Sequence, residues 1–262
     1  MNTILMIFSH PNHEIAALGS IRRWQPHMLF LTDGGGEKRV QQTKLGLAGY
    51  VNAKNTTFLN HTEESLYNAL IEKDAGFYQR LAAQVAETIA RVKPQAIYCD
   101  AVEFYNPVHD MALPVVRAAL NGSDIPVYEV PLIYQKPAPG DEEAFEVQRV
   151  AAPLEKDAVW VELSEEELAQ KIATLKSNNY QMLFDQLGAH ILGAIPSHAR
   201  REQFLKARRS LPAPVPGQVL RYDRRGREQK AAGAVQEAIG YQQHYVPMFH
   251  ALCPGNTAEA AA

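Results

Sequence analysis

The chain has 262 residues, enough to bury a sizeable core without disulfide or metal staples. Its 26 Lys and Arg against 29 Asp and Glu leave a formal net charge of −3, which gives no global electrostatic reason to bind nucleic acid or an anionic membrane. Two cysteines, Cys99 and Cys253, are too few for a disulfide framework and point to a reducing, cytoplasmic setting.

In chain order, the apolar run Met1 to Phe8 is short and lacks a basic n-region. It is followed by His10-Pro11-Asn12-His13-Glu14 where a secretion signal would carry its cleavage site, so none is expected. No apolar stretch approaches the roughly 18 residues of a membrane span. Thr3 to Phe8 reads as a strand buried on both faces, Glu14 to Trp24 as a helix, and His27 to Thr32 as a second buried strand ending in Asp33-Gly34-Gly35-Gly36. Leu81, Val85, Ile89 and Val92 recur at helical spacing until Pro94, and Ala96 to Cys99 is a short third strand. Asp110 to Leu120 is helical in pattern and Pro126 to Val130 is a further strand. The alternation predicts an α/β protein, a mostly parallel sheet with helices on both faces. Further on, Asp157 to Leu163 reads as a strand. Ser164 before three glutamates reads as the N-cap of a helix reaching about Leu187. Leu211 to Gly217, rich in proline, is a surface connection, and Gly255 to Ala262 is expected to fray.

Open parallel sheets bind ligands at the carboxyl ends of their strands. That rule singles out His10 to Glu14, Asp33 to Gly36, and Asp100 to Asp110. His10 and His13 bracket a strand-to-helix turn, and His109 lies in the loop after the third strand. Three converging imidazoles would give a tetrahedral zinc ion one open position for water. The alternative is a set of ordinary loop histidines that cap turns.

The strand followed by His10-Pro11-Asn12-His13-Glu14, the Thr32-Asp33-Gly34 turn and Pro107-x-His109-Asp110 resemble the LmbE/PIG-L superfamily. Weaker likeness extends over most of the chain, including Phe58 to Leu66, Lys171 to Gln181 and Leu220 to His244. The resemblance implies a Rossmann-like fold and metal-dependent de-N-acetylase activity. It implies residues 1–163 as the catalytic core and 164–262 as an appended part that closes the cleft. It also implies a small-molecule substrate and a homo-oligomer. The family motifs are His-Pro-Asp-Asp-Glu and His-Pro-Asp-His, and their metal positions fall here on His10, His13 and His109. The proposed general-base position is Asn12, an amide that cannot take a proton, and the leading His of the second motif is Asn106. Its Asp is Val108.

Replacing a carboxylate ligand by imidazole should leave the ligand set about one unit more positive and lower the pKa of metal-held water. Glu14, Asp110 and Glu103 are the nearby substitutes for the base. Glu14 alternatively complements a helix dipole, and Asp110 alternatively orients His109 or caps a helix. Asn12 and Asn106 are expected to orient water and substrate. Asp33 on the glycine-rich rim of the cleft, Arg39 and Glu63 are the expected substrate-binding residues, the last two at substrate-binding positions of the resemblance. Zinc is the expected metal, with Fe2+ or another divalent transition metal as the alternative, since imidazole is unselective. Metal-dependent amide hydrolysis on a small polar or sugar-like molecule is the reading. Redox or lyase metal chemistry and a catalytically impaired binding homologue are the alternatives. The arginines between Arg200 and Arg227 are interrupted by acids and read as a solvated face. His244 is a candidate substitute acid, and Cys99 a core thiol.

Overall fold

The computed structural model describes residues 3–136, 144–177, 180 and 200–255. Strand β1 (Ile4–Phe8) leads through a 3-10 turn (His13–Ala17) into α1 (Leu18–Trp24) and β2 (His27–Thr32). Then come α2 (Glu37–Leu47), β3 (Thr56–His61), α3 (Glu63–Ile71), α4 (Ala75–Val92) and β4 (Ala96–Asp100). The short α5 (Pro107–Asp110) and α6 (Ala112–Leu120) precede β5 (Val127–Val130), a hairpin of β6 (Ile133–Lys136) and β7 (Ala144–Val147), and β8 (Ala158–Glu162). The remainder holds α7 (Glu165–Leu175), β9 (Arg201–Lys206), α8 (Arg221–Ala231), a π-turn (Tyr241–Tyr245) and α9 (Val246–Leu252).

Seven strands form one sheet in the order β3-β2-β1-β4-β5-β9-β8. The first five are parallel, while β9 runs antiparallel to both β5 and β8. The α/β, mostly parallel architecture is therefore as the alternation predicted. The strands are apolar throughout because both faces are covered. Leu5 and Ile7 of β1 enter a core shared with α4, α6 and α9, while Met6 and Phe8 enter the opposite core with Ile21, Leu175 and Phe204. Cys99 is a buried core thiol. The division at residue 163 falls between β8 and β9, which are neighbours in the same sheet.

The capping box expected at Ser164 is formed, with Ser164 and Glu167 exchanging bonds. The helix described from it is Glu165–Leu175; its expected continuation to Leu187 and the fraying end at 256–262 lie outside the described residues. The helix expected from Glu14 begins one residue earlier as the 3-10 turn and becomes α-helical at Leu18. The strand order reverses between β1 and β4, since β1 continues to β2 on one side and the chain later returns to β4 on the other. The crevice at such a switch point is where ligands bind in these sheets.

Candidate metal centre

The site is assembled at the ends of β1 and β4. Ser9, just past β1, donates its N–H to Asp100 Oδ2 at 2.7 Å and its hydroxyl to the same oxygen at 2.5 Å, which ties the two strand ends together. The chain then reverses at Asn12, whose φ of 78° is in the left-handed region that asparagine tolerates better than most residues. That reversal places the His10 and His13 ring centres 5.0 Å apart. From β4, Asn106 caps α5 by accepting the Val108 N–H at 2.8 Å, and Pro107 sits pre-formed at the helix start. This one-turn helix delivers His109 with its ring centre 4.8 Å from His10 and 4.3 Å from His13.

One nitrogen from each of the three histidines lies within 4.8 Å of the others, and His10 Nδ1 is 3.0 Å from His109 Nε2. All three rings are buried. Burial, and then the neighbouring His13, hold His10 and His109 well below the usual imidazole pKa, so both stay neutral with lone pairs available. His10 Nε2 has no hydrogen-bond partner among the described residues; Glu63 Oε1 stands 3.4 Å from it without hydrogen-bond alignment. Neutral, converging nitrogens with an unsatisfied buried atom fit a metal ion, and the three form a group able to hold one.

Asp100, given no role of its own by the sequence beyond starting the segment after the third strand, is the further residue that the fold adds. Fully buried, it accepts at Oδ2 from His13 Nδ1 at 2.9 Å in addition to its two bonds from Ser9. A carboxylate at Nδ1 fixes the proton there and leaves Nε2 free to coordinate. It also corrects the expected electrostatics. The negative charge absent from the ligand set stands one hydrogen bond behind it, so the centre does not carry a full extra unit of positive charge. The only sequence signal was its place at the end of a buried strand.

A cavity of about 200 Å³ opens on the three histidines, and Asn12, Arg39, Glu63, Tyr105 and Asn106 help line it. Asn12 accepts the Thr43 hydroxyl at 3.0 Å, and its backbone N–H donates to the same oxygen at 2.9 Å. Asn106 Oδ1 accepts from Tyr67 as well as from Val108, which leaves its amide N–H groups as donors. Arg39 donates to the Gly34 carbonyl at 2.9 Å and so braces the glycine turn.

The other carboxylates stand elsewhere. Glu14 is fully buried behind the turn, bonded by Thr43 at 2.8 Å and Tyr180 at 2.9 Å, and burial raises its pKa. Asp110 accepts the Glu103 and Phe104 N–H groups, and burial pushes its carboxyl up to about 8. It pins the loop and makes no bond to His109. Glu103 accepts from Leu132 and Ile133 and holds that wall of the cavity. Asp33 Oδ1 accepts the Gly35 N–H on an exposed turn outside the cavity lining. His244 is buried away from the metal cavity, its Nδ1 accepting the Gly240 N–H at 2.9 Å. The basic stretch forms surface ion pairs, Arg200 with Glu165 and Arg209 with Asp124 among them.

No protein-family profile matches the chain, and no curated protein matches it. Solved structures do match. A pseudoaglycone deacetylase shares 12% identity over 78% of this chain and 96% of its own, with a TM-score of 0.53. A conserved protein from Thermus thermophilus shares 17% identity over 82% of this chain and 99% of its own, with a TM-score of 0.50. The chain shares the α/β fold of these two structures. Among the described residues, no helix is long and apolar enough to cross a membrane.

Proposed function

We propose that the protein is a metal-dependent amide hydrolase that removes an acyl group from an amine on a small polar molecule. The observation that carries the reading is the convergence of His10, His13 and His109 at the switch point, with Asp100 behind His13. The deacetylase described for a structure of the same fold supports it. His10, His13 and His109 would hold the metal, with zinc the first choice for three neutral imidazoles and Fe2+ the alternative. When bound, such an ion supplies Lewis acidity to an acyl carbonyl and to a water molecule.

The chain's own residues divide the remaining work. Glu63 is the one carboxylate among the described residues lining the metal cavity, so the proton-accepting role falls to it and not to Glu14, Asp110 or Glu103. Asn106, with its oxygen already engaged, offers N–H groups to the developing negative charge on the acyl oxygen. Asn12 orients substrate from the opposite end of the turn, anchored by Thr43. Arg39 faces the polar part of the substrate. Ile15, Leu132 and Ile133 give the same cavity an apolar side that excludes water from the acyl group.

The test is release of free amine from a panel of acetylated sugars and amines, using protein stripped of metal and then reloaded. Turnover that disappears on stripping and returns on reloading is expected. No metal-dependent turnover across the panel would end the hydrolase reading.

A further inference from the structure

The order of strands in the sheet sorts the lining of the metal cavity by chemistry. Glu63 follows β3 and Arg39 follows β2, the two strands at one edge of the sheet. His10 and His13 follow β1, and Asn106 and His109 follow β4, in the middle. Leu132 and Ile133 follow β5, on the far side of β4. Across the sheet the lining therefore passes from two charged side chains, through the histidines, to aliphatic ones.

The aliphatic end is continuous and firmly held. Ile133 of β6 is the cross-strand partner of Val147 of β7, so the two side chains share one face of the hairpin. Ile15 and Ala16, from the turn after β1, belong to the same buried cluster as Leu132 and Ile133, and Val147 packs against it. The Glu103 carboxylate accepts the Leu132 and Ile133 N–H groups, and the Gln148 N–H donates to the Leu132 carbonyl at 2.8 Å. Gln148 is the one polar side chain among the described residues that the hairpin adds to the lining. The cavity measures about 200 Å³, and an apolar cavity of roughly 150 Å³ already takes benzene. The single methyl of an acetyl group would touch only part of this apolar wall.

We propose that this end of the cavity is an acyl-chain pocket, and that the substrate is an amine carrying an aliphatic acyl group of about four to six carbons, in preference to acetyl. The inference rests on the amide-hydrolase reading, which puts the scissile carbonyl at the histidines. From there the acyl chain runs toward β5 and the hairpin, and the polar amine part toward Arg39 and Glu63. The reverse placement would cover two charged side chains with alkyl surface, at the cost of their solvation. Each methylene that the pocket buries in full strengthens binding by about fourfold.

Chain length separates this proposal from the hydrolase reading. The full-length protein would be titrated with acetate, butyrate and hexanoate, the acids such a reaction releases, and binding followed by ligand-observed NMR. Affinity should rise at least about tenfold from acetate to hexanoate. Ala16→Leu fills the pocket and Val147→Asn makes its wall polar. Each, in protein shown to be folded by a cooperative thermal transition, should cut that rise to about threefold or less. N-acetyl-, N-butyryl- and N-hexanoylglucosamine should follow the same order in kcat/KM. Affinity that is flat or falls with chain length, or no binding of hexanoate, overturns the proposal. So does a rise that survives both substitutions, which would place the chain on another surface. Turnover of the acetyl compound with no gain from a longer chain would keep the hydrolase reading and remove the pocket. A rise in affinity lost in the two variants, without turnover of any amide, would keep the pocket and remove only the hydrolase reading.

Discussion

One oxygen of Asp100 collects three hydrogen bonds, from the Ser9 N–H, the Ser9 hydroxyl and His13 Nδ1, in a place with no exposure to water. A carboxylate buried this way is kept by its donors, and here one donor is a candidate metal ligand. Asp100→Asn removes the charge and can present an N–H to His13, which would push the ring proton onto Nε2 and block coordination. Metal affinity is expected to fall by about 10- to 100-fold, measured by competition with a chromogenic chelator. Unchanged affinity would show that Asp100 serves only the strand ends. Glu63→Gln tests a different step. It should lower kcat by about 10²- to 10⁴-fold while leaving the bound metal in place. Retained kcat would move the proton-accepting role off Glu63. The convergence of the three histidines was legible in the sequence from strand-end position together with the motif resemblance; position and spacing alone left ordinary loop histidines open. Asp100 was not, since its partner is 87 residues away and its burial is a tertiary fact. Glu14 and Asp110 misled for the converse reason: adjacency along the chain put them beside His13 and His109, but the backbone turns each side chain away from the cavity.

At the scale of elements, α2 approaches the turn behind the site so closely that Gly46 leaves no room for a side chain. A Cβ there would sit 2.0 Å from the Tyr180 hydroxyl, which bonds Glu14. Gly46→Ala should cost on the order of 1–3 kcal/mol through overpacking, despite the better helix propensity of alanine. Chemical denaturation would read this; a stabilised variant would mean that Tyr180 is free to move. Strand β5 carries a further buried carboxylate, Glu129, which accepts the Val102 N–H at 2.9 Å and which burial pushes up to about 7. Its folded pKa lies above the ordinary 4.5, so the folded state binds its proton more tightly than the unfolded state. The resulting stability is complete below about 4.5 and is lost as pH rises through about 7. By the usual conversion that is on the order of 3 kcal/mol at most. Unfolding free energies across this window should show Glu129→Gln lacking that share of the slope; parallel curves would refute it. The buried parallel strands were readable from their apolar runs. Edge strand β3 and the polar β9 were not, because Thr56–His61 is only partly buried and Arg201–Lys206 carries three charged residues and a glutamine.

For the whole molecule, the part after residue 163 is fastened to the metal turn by a buried ion pair. Glu202 of β9 accepts the N–H groups of Gly19 and Ser20, and Lys171 of α7 bonds both Glu202 at 2.8 Å and the Ala16 carbonyl at 3.4 Å. Lys171→Met leaves a buried carboxylate without its cation and should cost about 3–5 kcal/mol in unfolding free energy. A loss near zero would show that the backbone N–H groups satisfy Glu202 alone. Strand alternation revealed the parallel half of this architecture. The return of β9 between β5 and β8 was hidden, because pairing across such sequence distance leaves no local pattern. The central claim concerns the three histidines, and metal content tests it most directly. Mass spectrometry of untagged protein, with His13→Ala alongside, should find about one zinc or iron per chain, lost in the variant. No metal in the wild type after reconstitution, or metal retained in full by His13→Ala, would contradict the account.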